Sequence, residues 1–396
     1  MQRDLRIMAS SERATLTEYM QKIIDYRKSG LSLNHIVGCP LDCAYCVRHF
    51  WGNFDMKEPQ ALVSDEEAVE ALLQHKYFTQ DKTPVQIFNR ATDPFLAPVK
   101  EHTHRVLELL DAVGMRNLII LITRFRVERE DIERLNALRN LRVTLLFTYS
   151  GIDDKKIEPI RREITLDTIK TAYKFKRSLR TVLYWRPIVP GWNDDLETIR
   201  HVIGISRMTD AIAFTGLFYR PEQKTHFETE DILVPYGSPQ RRKILPLDVE
   251  QKILREHKRA GCTVPIFRKT SCAVCYLHNE PDYNGHYGIP NLCEICPLNQ
   301  QALCSQYHAA PTQREFQDLL DLHDYSTSFT IEDGHVWTEG LGEERRYHLQ
   351  HSLGFQVWER SYPHLPNQHG RAPVGYDDLL HETPSGSKAQ VEPSCD

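Results

Sequence analysis

Six short apolar segments, most followed by a helix-like stretch, most constrain how this chain can fold. They read LNHIVG (33–38), PVQIFN (84–89), NLIILIT (117–123), RVTLLFT (142–148), TVLYWRPIV (181–189) and AIAFTGLF (211–218). They are rich in Val, Ile, Leu and Phe and alternate little between apolar and polar residues, as strands covered on both faces do. Helix candidates fall at about 65–77, 98–113, 130–138, 165–176, 194–207 and 247–260. Ser64 and Glu67 form a capping box before the first of these. Gly114 and Gly261 read as C-terminal stops. Six β/α units in succession require a parallel sheet with right-handed crossovers. Periodicity alone fits an open doubly wound sheet or a barrel. Both place ligands at the carboxyl ends of the strands, so the loops after the strands are where chemistry is expected.

The rest of the chain divides around this α/β core, expected over 31–261. Residues 15–28 read as an amphipathic helix stopped at Gly30, which makes 1–30 an N-terminal helical segment. Residues 262–310 form a cysteine-rich, turn-rich segment expected to bind metal. Residues 311–381 form a small C-terminal region with strand-like and helical pieces. The polar stretch 382–396 is expected to be a disordered tail. With 41% hydrophobic and 26% charged residues the composition is that of a globular protein. No apolar run reaches membrane-spanning length, and the N-terminus has no apolar signal core. A soluble, cytoplasmic protein with no membrane partner is expected. A formal charge of −5 gives no general attraction to nucleic acid. Local basic runs, KFKRSLR (174–180) and QRRK (240–243), leave room for such a partner.

The cysteines carry the chemistry. Cys39, Cys43 and Cys46 lie within GCPLDCAYC, directly after the first apolar segment. Cys262, Cys272, Cys275, Cys293, Cys296 and Cys304 form a second group, and Cys395 stands alone. Clustered cysteines in a cytosolic chain point to metal rather than disulfides. A structural zinc site wants four ligands, and His49 is the nearest candidate fourth. A [4Fe–4S] cluster normally takes four cysteines; three leave one iron open to an outside ligand. An amine and a carboxylate can chelate that iron, and the methionine part of S-adenosylmethionine has both. An electron passed to the sulfonium then breaks a C–S bond and gives a 5′-deoxyadenosyl radical able to abstract hydrogen. The protein's share is a dry, well-positioned pocket.

The Cys-x3-Cys-x2-Cys spacing, its place after the first strand, and Tyr45 before the last cysteine resemble the radical S-adenosylmethionine superfamily. Further segments occur in order: NRATDPF (89–95), ITRF (122–125), FTYSGID (147–153), IEP (157–159) and RPIVPGWND (186–194). These look like the spore photoproduct lyase-like, or DNA repair photolyase-like, branch over about residues 30–220. The resemblance implies a partial (β/α)6 barrel. It implies a [4Fe–4S] cluster on Cys39, Cys43 and Cys46, and an electron donor such as flavodoxin or ferredoxin. It places Tyr45 near the adenine, Thr92 at the methionyl amine, Arg124 at the carboxylate and Thr148 at the ribose hydroxyls. A cation suits a carboxylate and a hydroxyl suits a diol. Asp93, Glu158 and Asn193 sit on the same loops, where turn and capping duty is the first expectation. Two positions depart from spore photoproduct lyases. Arg90 stands where they carry a hydrogen-donating cysteine, and Val47 where they carry a relay tyrosine. Neither side chain gives up a hydrogen atom, so the expectation keeps the cofactor chemistry and leaves the substrate open.

CAVC (272–275) and CEIC (293–296) repeat a Cys-x2-Cys pair at metal-ribbon spacing. Zinc or an auxiliary Fe–S cluster is expected on Cys272, Cys275, Cys293 and Cys296, with Cys304 and Cys262 as spare ligands. His278, His286 and His308 nearby read as ordinary loop histidines. The leading expectation is a radical S-adenosylmethionine enzyme whose substrate, nucleic acid or a nucleotide among the candidates, is unidentified. The competing one is a non-catalytic, zinc-containing nucleic-acid-binding protein on an α/β scaffold.

Overall fold

The computed structural model describes residues 5–361, apart from 238, 240–242 and 333–334, together with 371–372. The expected tail 382–396, Cys395, residues 362–370 and 373–381, and all of the QRRK run but Lys243 lie outside the described residues.

A parallel sheet forms the body. Strand β1 (Ile24–Arg27) pairs antiparallel with β2 (Gly30–Leu33). The sheet then runs parallel and in chain order through β3 (Val85–Ile87), β4 (Leu118–Thr123), β5 (Arg142–Tyr149), β6 (Arg180–Ile188) and β7 (Ala211–Phe218). Strand β8 (Lys243–Ile244) lies antiparallel along the end of β7, and β9 (Ile266–Phe267) lies parallel along its beginning. The crossover helices are α1 (Asp65–Leu73), α2 (Lys100–Ala112), α3 (Arg129–Ala137), α4 (Arg162–Phe175) and α5 (Leu196–Ser206). After β7 come α6 (Pro221–Thr229) and α7 (Leu247–Arg259).

Strand side chains alternate between two apolar layers. Ile119, Leu121, Leu145, Phe147, Leu183, Trp185, Ile212 and Phe214 belong to one core, with the crossover helices. Leu118, Ile120, Leu146, Val182, Tyr184 and Ala213 belong to another. This is why the strands read as unbroken apolar runs: each face has its own cover. The second layer is closed by Phe267 of β9 and by Ala273, Val274 and Cys275 of α8 (Thr270–Leu277). The cysteine-rich segment therefore follows the α/β body in sequence and packs directly on its inner face.

Two local expectations change. The helix expected over 15–28 is a single turn, Glu18–Gln21, followed by β1. Pairing of β1 on β2, with Tyr26 opposite Leu31, outweighs local helix preference. The chain reverses at Gly30, whose φ of 94° suits glycine alone. The segment 33–38 is not one strand. Leu33 ends β2, while Ile36–Val37 pairs with Gln60–Ala61. Between them Asn34 and His35 turn into polar partners, Ser32 Oγ at 2.6 Å and Asp65 at 2.7 Å.

Beyond α9 (Leu298–Tyr307) lies a small lobe. It contains α10 (Gln313–Leu322), the sheet of β10 (Ser328–Glu332), β11 (His335–Glu339) and β12 (Val357–Glu359), and α11 (Glu343–Leu353). Phe316, Leu320, Val336, Leu349, Phe355 and Val357 form its core. Among the described residues, no helix is long and apolar enough to cross a membrane.

Candidate metal centres and binding pocket

The loop carrying Cys39, Cys43 and Cys46 is held by backbone contacts from distant segments. It opens at Gly38, with φ 102°, where a Cβ would lie 2.3 Å from the Glu58 carbonyl oxygen. Cys39 N donates to Met56 O at 2.8 Å, and Ala44 N to Ile157 O at 3.1 Å. Arg48 is buried, and its guanidinium donates to the carbonyls of Leu41 (2.6 Å), Phe54 (3.1 Å) and Met56 (3.3 Å). The Gln223 amide of α6 donates to Tyr45 O at 2.9 Å. The three cysteines are unbridged and line one pocket. Burial pushes the Cys39 thiol up to about 11 and the Cys43 thiol well above its ordinary value. A bound cation reverses that preference by stabilising thiolate. His49, the candidate fourth ligand, instead stacks on Phe54 at 3.7 Å and packs beside His226 at 4.2 Å, and it does not line the pocket.

The opposite walls come from the carboxyl ends of five strands. Thr92 and Asp93 follow β3, Arg124 follows β4, Thr148 lies in β5, Arg186 in β6 and Thr215 in β7. In a flat sheet five neighbouring strands spread over about 19 Å at their usual spacing. Their convergence on one pocket means the sheet is curled, as in a partial barrel.

Tyr45, Arg124 and Glu158 make a buried polar cluster beside Cys43. Arg124 Nη1 donates to Tyr45 Oη at 2.7 Å and lies 3.1 Å from Cys43 Sγ and 3.5 Å from Glu158. The Tyr45 hydroxyl also donates to Glu158. Burial opposes the charge on Arg124, but Cys43, Tyr45 and Glu158 outweigh it and hold the guanidinium firmly protonated. Asp93 accepts from Thr123 Oγ1 (2.7 Å) and from the amides of Phe95 and Arg124 (3.0 Å each), tying two strand ends together. Asn193 bonds to Val189 N, Ser150 O and Pro187 O, which is loop support. Of the three loop residues set aside for turn duty, Glu158 meets the side chains of both Tyr45 and Arg124, whereas Asp93 meets only the Arg124 backbone amide. Arg90 lies 2.5 Å from Asp25 and stacks over Tyr19.

Thr92 and Thr148 are different. Their hydroxyls are buried, face the pocket and have no hydrogen-bond partner among the described residues. Buried polar groups are normally satisfied, so these two hydroxyls are open to a ligand in the pocket. Two open hydroxyls, a fixed cation and three thiols fit S-adenosylmethionine beside an iron–sulfur cluster by donor type.

The second cysteine group gathers under the sheet. One sulfur, carboxylate and imidazole atom of Cys272, Asp282 and His286 all lie within 4.8 Å of one another. Asp282 and His286 are 2.7 Å apart. Cys293 Sγ donates to His286 O at 3.6 Å, and Cys304 Sγ accepts from Asp282 N and Gln300 Nε2, both at 3.4 Å. Burial first, then Asp282 and the neighbouring thiols, push Cys272 well above its ordinary value. Burial first, then Cys293, Cys304 and Asp282, push Cys296 to about 12. A buried group of thiols and a carboxylate, each opposing the other's charge, suits a cation at the centre. Cys304 joins this group. Cys262 does not: its sulfur lies 3.7 Å from Ser206 Oγ. Asp282 was missed in the sequence, and His286, read there as an ordinary loop histidine, is instead buried against it. The available signal was a carboxylate and an imidazole four residues apart between two Cys-x2-Cys pairs.

The chain matches no protein-family profile and no curated protein. It is similar to several solved structures. One is spore photoproduct lyase complexed with dinucleoside spore photoproduct, at 12% identity and a TM-score of 0.45, covering 66% of this chain and 85% of that one. A mutant of the lyase with bound AdoMet and the same photoproduct gives 11%, 0.45, 67% and 86%. Streptococcus suis SuiB bound to S-adenosylmethionine gives 10%, 0.41, 64% and 53%.

Proposed function

We propose that this chain is a radical S-adenosylmethionine enzyme with its cluster on Cys39, Cys43 and Cys46. The observation that carries the reading is the meeting of these cysteines with Tyr45, Thr92, Arg124 and Thr148 in one pocket at the strand ends. When bound, the cluster and S-adenosylmethionine supply a 5′-deoxyadenosyl radical for hydrogen abstraction. The chain's own residues bind and orient. Arg124 offers a fixed cation to a carboxylate, Thr92 and Thr148 offer hydroxyls to amine and ribose, and Tyr45 offers a ring face to adenine. Glu158 holds Arg124 and Tyr45 in place. Arg48 and Gln223 fix the loop so that its thiols face inward. The reducing electron comes from an external donor such as flavodoxin or ferredoxin, and a nucleotide or nucleic acid is the candidate substrate. The second group, Cys272, Cys275, Cys293 and Cys296 with Cys304, holds zinc or an auxiliary Fe–S cluster.

Anaerobic reconstitution with iron and sulfide, then dithionite and S-adenosylmethionine, tests the reading. 5′-Deoxyadenosine is expected, and serine at Cys39, Cys43 and Cys46 together should abolish it. A fully assembled cluster that leaves S-adenosylmethionine intact would rule the reading out. Iron, sulfide and zinc counted on the same sample identify the second metal.

A further inference from the structure

The reading above uses one side of the pocket, the ends of β3 to β5. The other side, from β6 to β8, carries two more cations, Arg186 and Lys243. The Arg186 guanidinium carbon sits 4.4 Å over the centre of the Tyr184 ring, and Tyr184 and Lys243 line one cavity. Burial pushes that phenol up, yet the two cations outweigh it and hold it below its ordinary value. The Arg186 Nε is buried without a hydrogen-bond partner, and among the described residues neither cation forms an ion pair with a carboxylate. Arg268, close by, is the contrast: it lies 2.5 Å from both Glu250 and Glu294. A second cavity continues downward from the pocket. It shares Thr215 and Lys243 with it and is lined further by Tyr184, Lys28 and Lys269. In a chain of net charge −5, such a concentration of cations is a local feature.

S-adenosylmethionine does not account for these cations. Its single carboxylate is matched by Arg124, and its sulfonium is itself positive. Two half-buried cations lining one pocket, with no carboxylate paired to either among the described residues, suit an anion. We propose that Arg186 and Lys243, with the Tyr184 hydroxyl, bind an anionic group of the substrate, a phosphate or a carboxylate, at the floor of the pocket. This names the substrate class and rests on the function proposed above for the chemistry done to that substrate and for the match of Arg124 to the S-adenosylmethionine carboxylate.

Calorimetric titration of the reconstituted full chain, with S-adenosylmethionine present, tests it with two probes, inorganic pyrophosphate and citrate. Saturable binding of about one equivalent is expected for at least one probe. Pyrophosphate alone would assign a phosphate, and citrate alone a carboxylate. Arg186→Gln and Lys243→Gln should each weaken the bound probe about tenfold or more, as loss of a charged hydrogen-bond partner does. Arg186→Lys should recover most of the loss, and Lys155→Gln, on the exposed surface, should change nothing. Matching thermal melts exclude misfolding; where a Gln variant melts early, the Arg186→Lys comparison decides. Binding of neither probe, or undiminished binding by the double Gln variant, overturns the proposal. 5′-Deoxyadenosine measured on the same sample separates the two readings. Cleavage without anion binding removes this site alone, and anion binding without cleavage removes the radical function alone.

Discussion

A buried hydroxyl with no partner costs about 1–3 kcal/mol, and Thr148 and Thr92 each carry one. A fold keeps that cost where a ligand relieves it. Thr148→Val, nearly the same shape, should therefore leave the melting temperature of the ligand-free protein unchanged or higher. It should weaken S-adenosylmethionine binding by roughly five- to twentyfold, about one lost hydrogen bond. Equilibrium binding and a thermal melt on the same preparation check both halves; unaltered affinity would show that the hydroxyl faces no ligand. Sequence reading carried Thr92, Arg124 and Thr148 over from the family resemblance, whose motifs are short and local in the chain. It set Glu158 aside as a turn residue, since Tyr45, its partner, is 113 positions away and nothing in IEP announces the contact. Asp282 escaped, and His286 was set down as a loop histidine, for the same reason. A carboxylate becomes a candidate ligand only once folding has brought Cys272 to it.

Elements were legible where burial and period agreed. Strands β3 to β7 stand where the apolar runs put them, because two covered faces leave a signal along the whole strand. The first 38 residues were harder to read. Apolar residues at 16, 20, 23 and 24 fit a helix as well as a strand, and pairing with β2 decides it. The cysteine loop has no regular structure of its own and depends on contacts at its two ends. Gly38→Ala should break one of them, since the new Cβ meets the backbone oxygen of Glu58 and the φ of 102° is strained for alanine. Iron incorporated at the first cysteine group should fall several-fold, with absorbance near 400 nm lost in proportion (roughly two- to fivefold for a loop displaced by a strained residue). Zinc or iron at the second group, on separate segments, should be retained. Full iron loading of the variant would show that the loop tolerates a different entry.

At the scale of the whole molecule, the small lobe closes on the barrel edge through histidines. Tyr26 Oη on β1 meets His351 Nδ1 on α11 at 2.8 Å, and His351 Nε2 lies 3.0 Å from Lys28 O. His348, one turn earlier, stacks on Tyr77 at 4.6 Å. Nothing in the sequence paired these segments; Tyr26 and His351 lie 325 positions apart. Burial is the main cause that lowers both imidazoles, His351 to about 3 and His348 to about 4, from an ordinary 6.5. Above pH 6.5 both are neutral folded or unfolded, and the seam contributes its full stability. As pH falls below 6.5 the unfolded chain takes up protons that the folded one refuses, so stability is lost towards pH 4 and below. For His351 alone the loss between pH 7.5 and 5 is roughly 2 kcal/mol. Urea unfolding at those two pH values should show a lower midpoint at pH 5. His351→Gln, which keeps a polar side chain and cannot take up the proton, should flatten part of that dependence. An equal pH dependence in the variant would place the acid-sensitive groups elsewhere in the molecule.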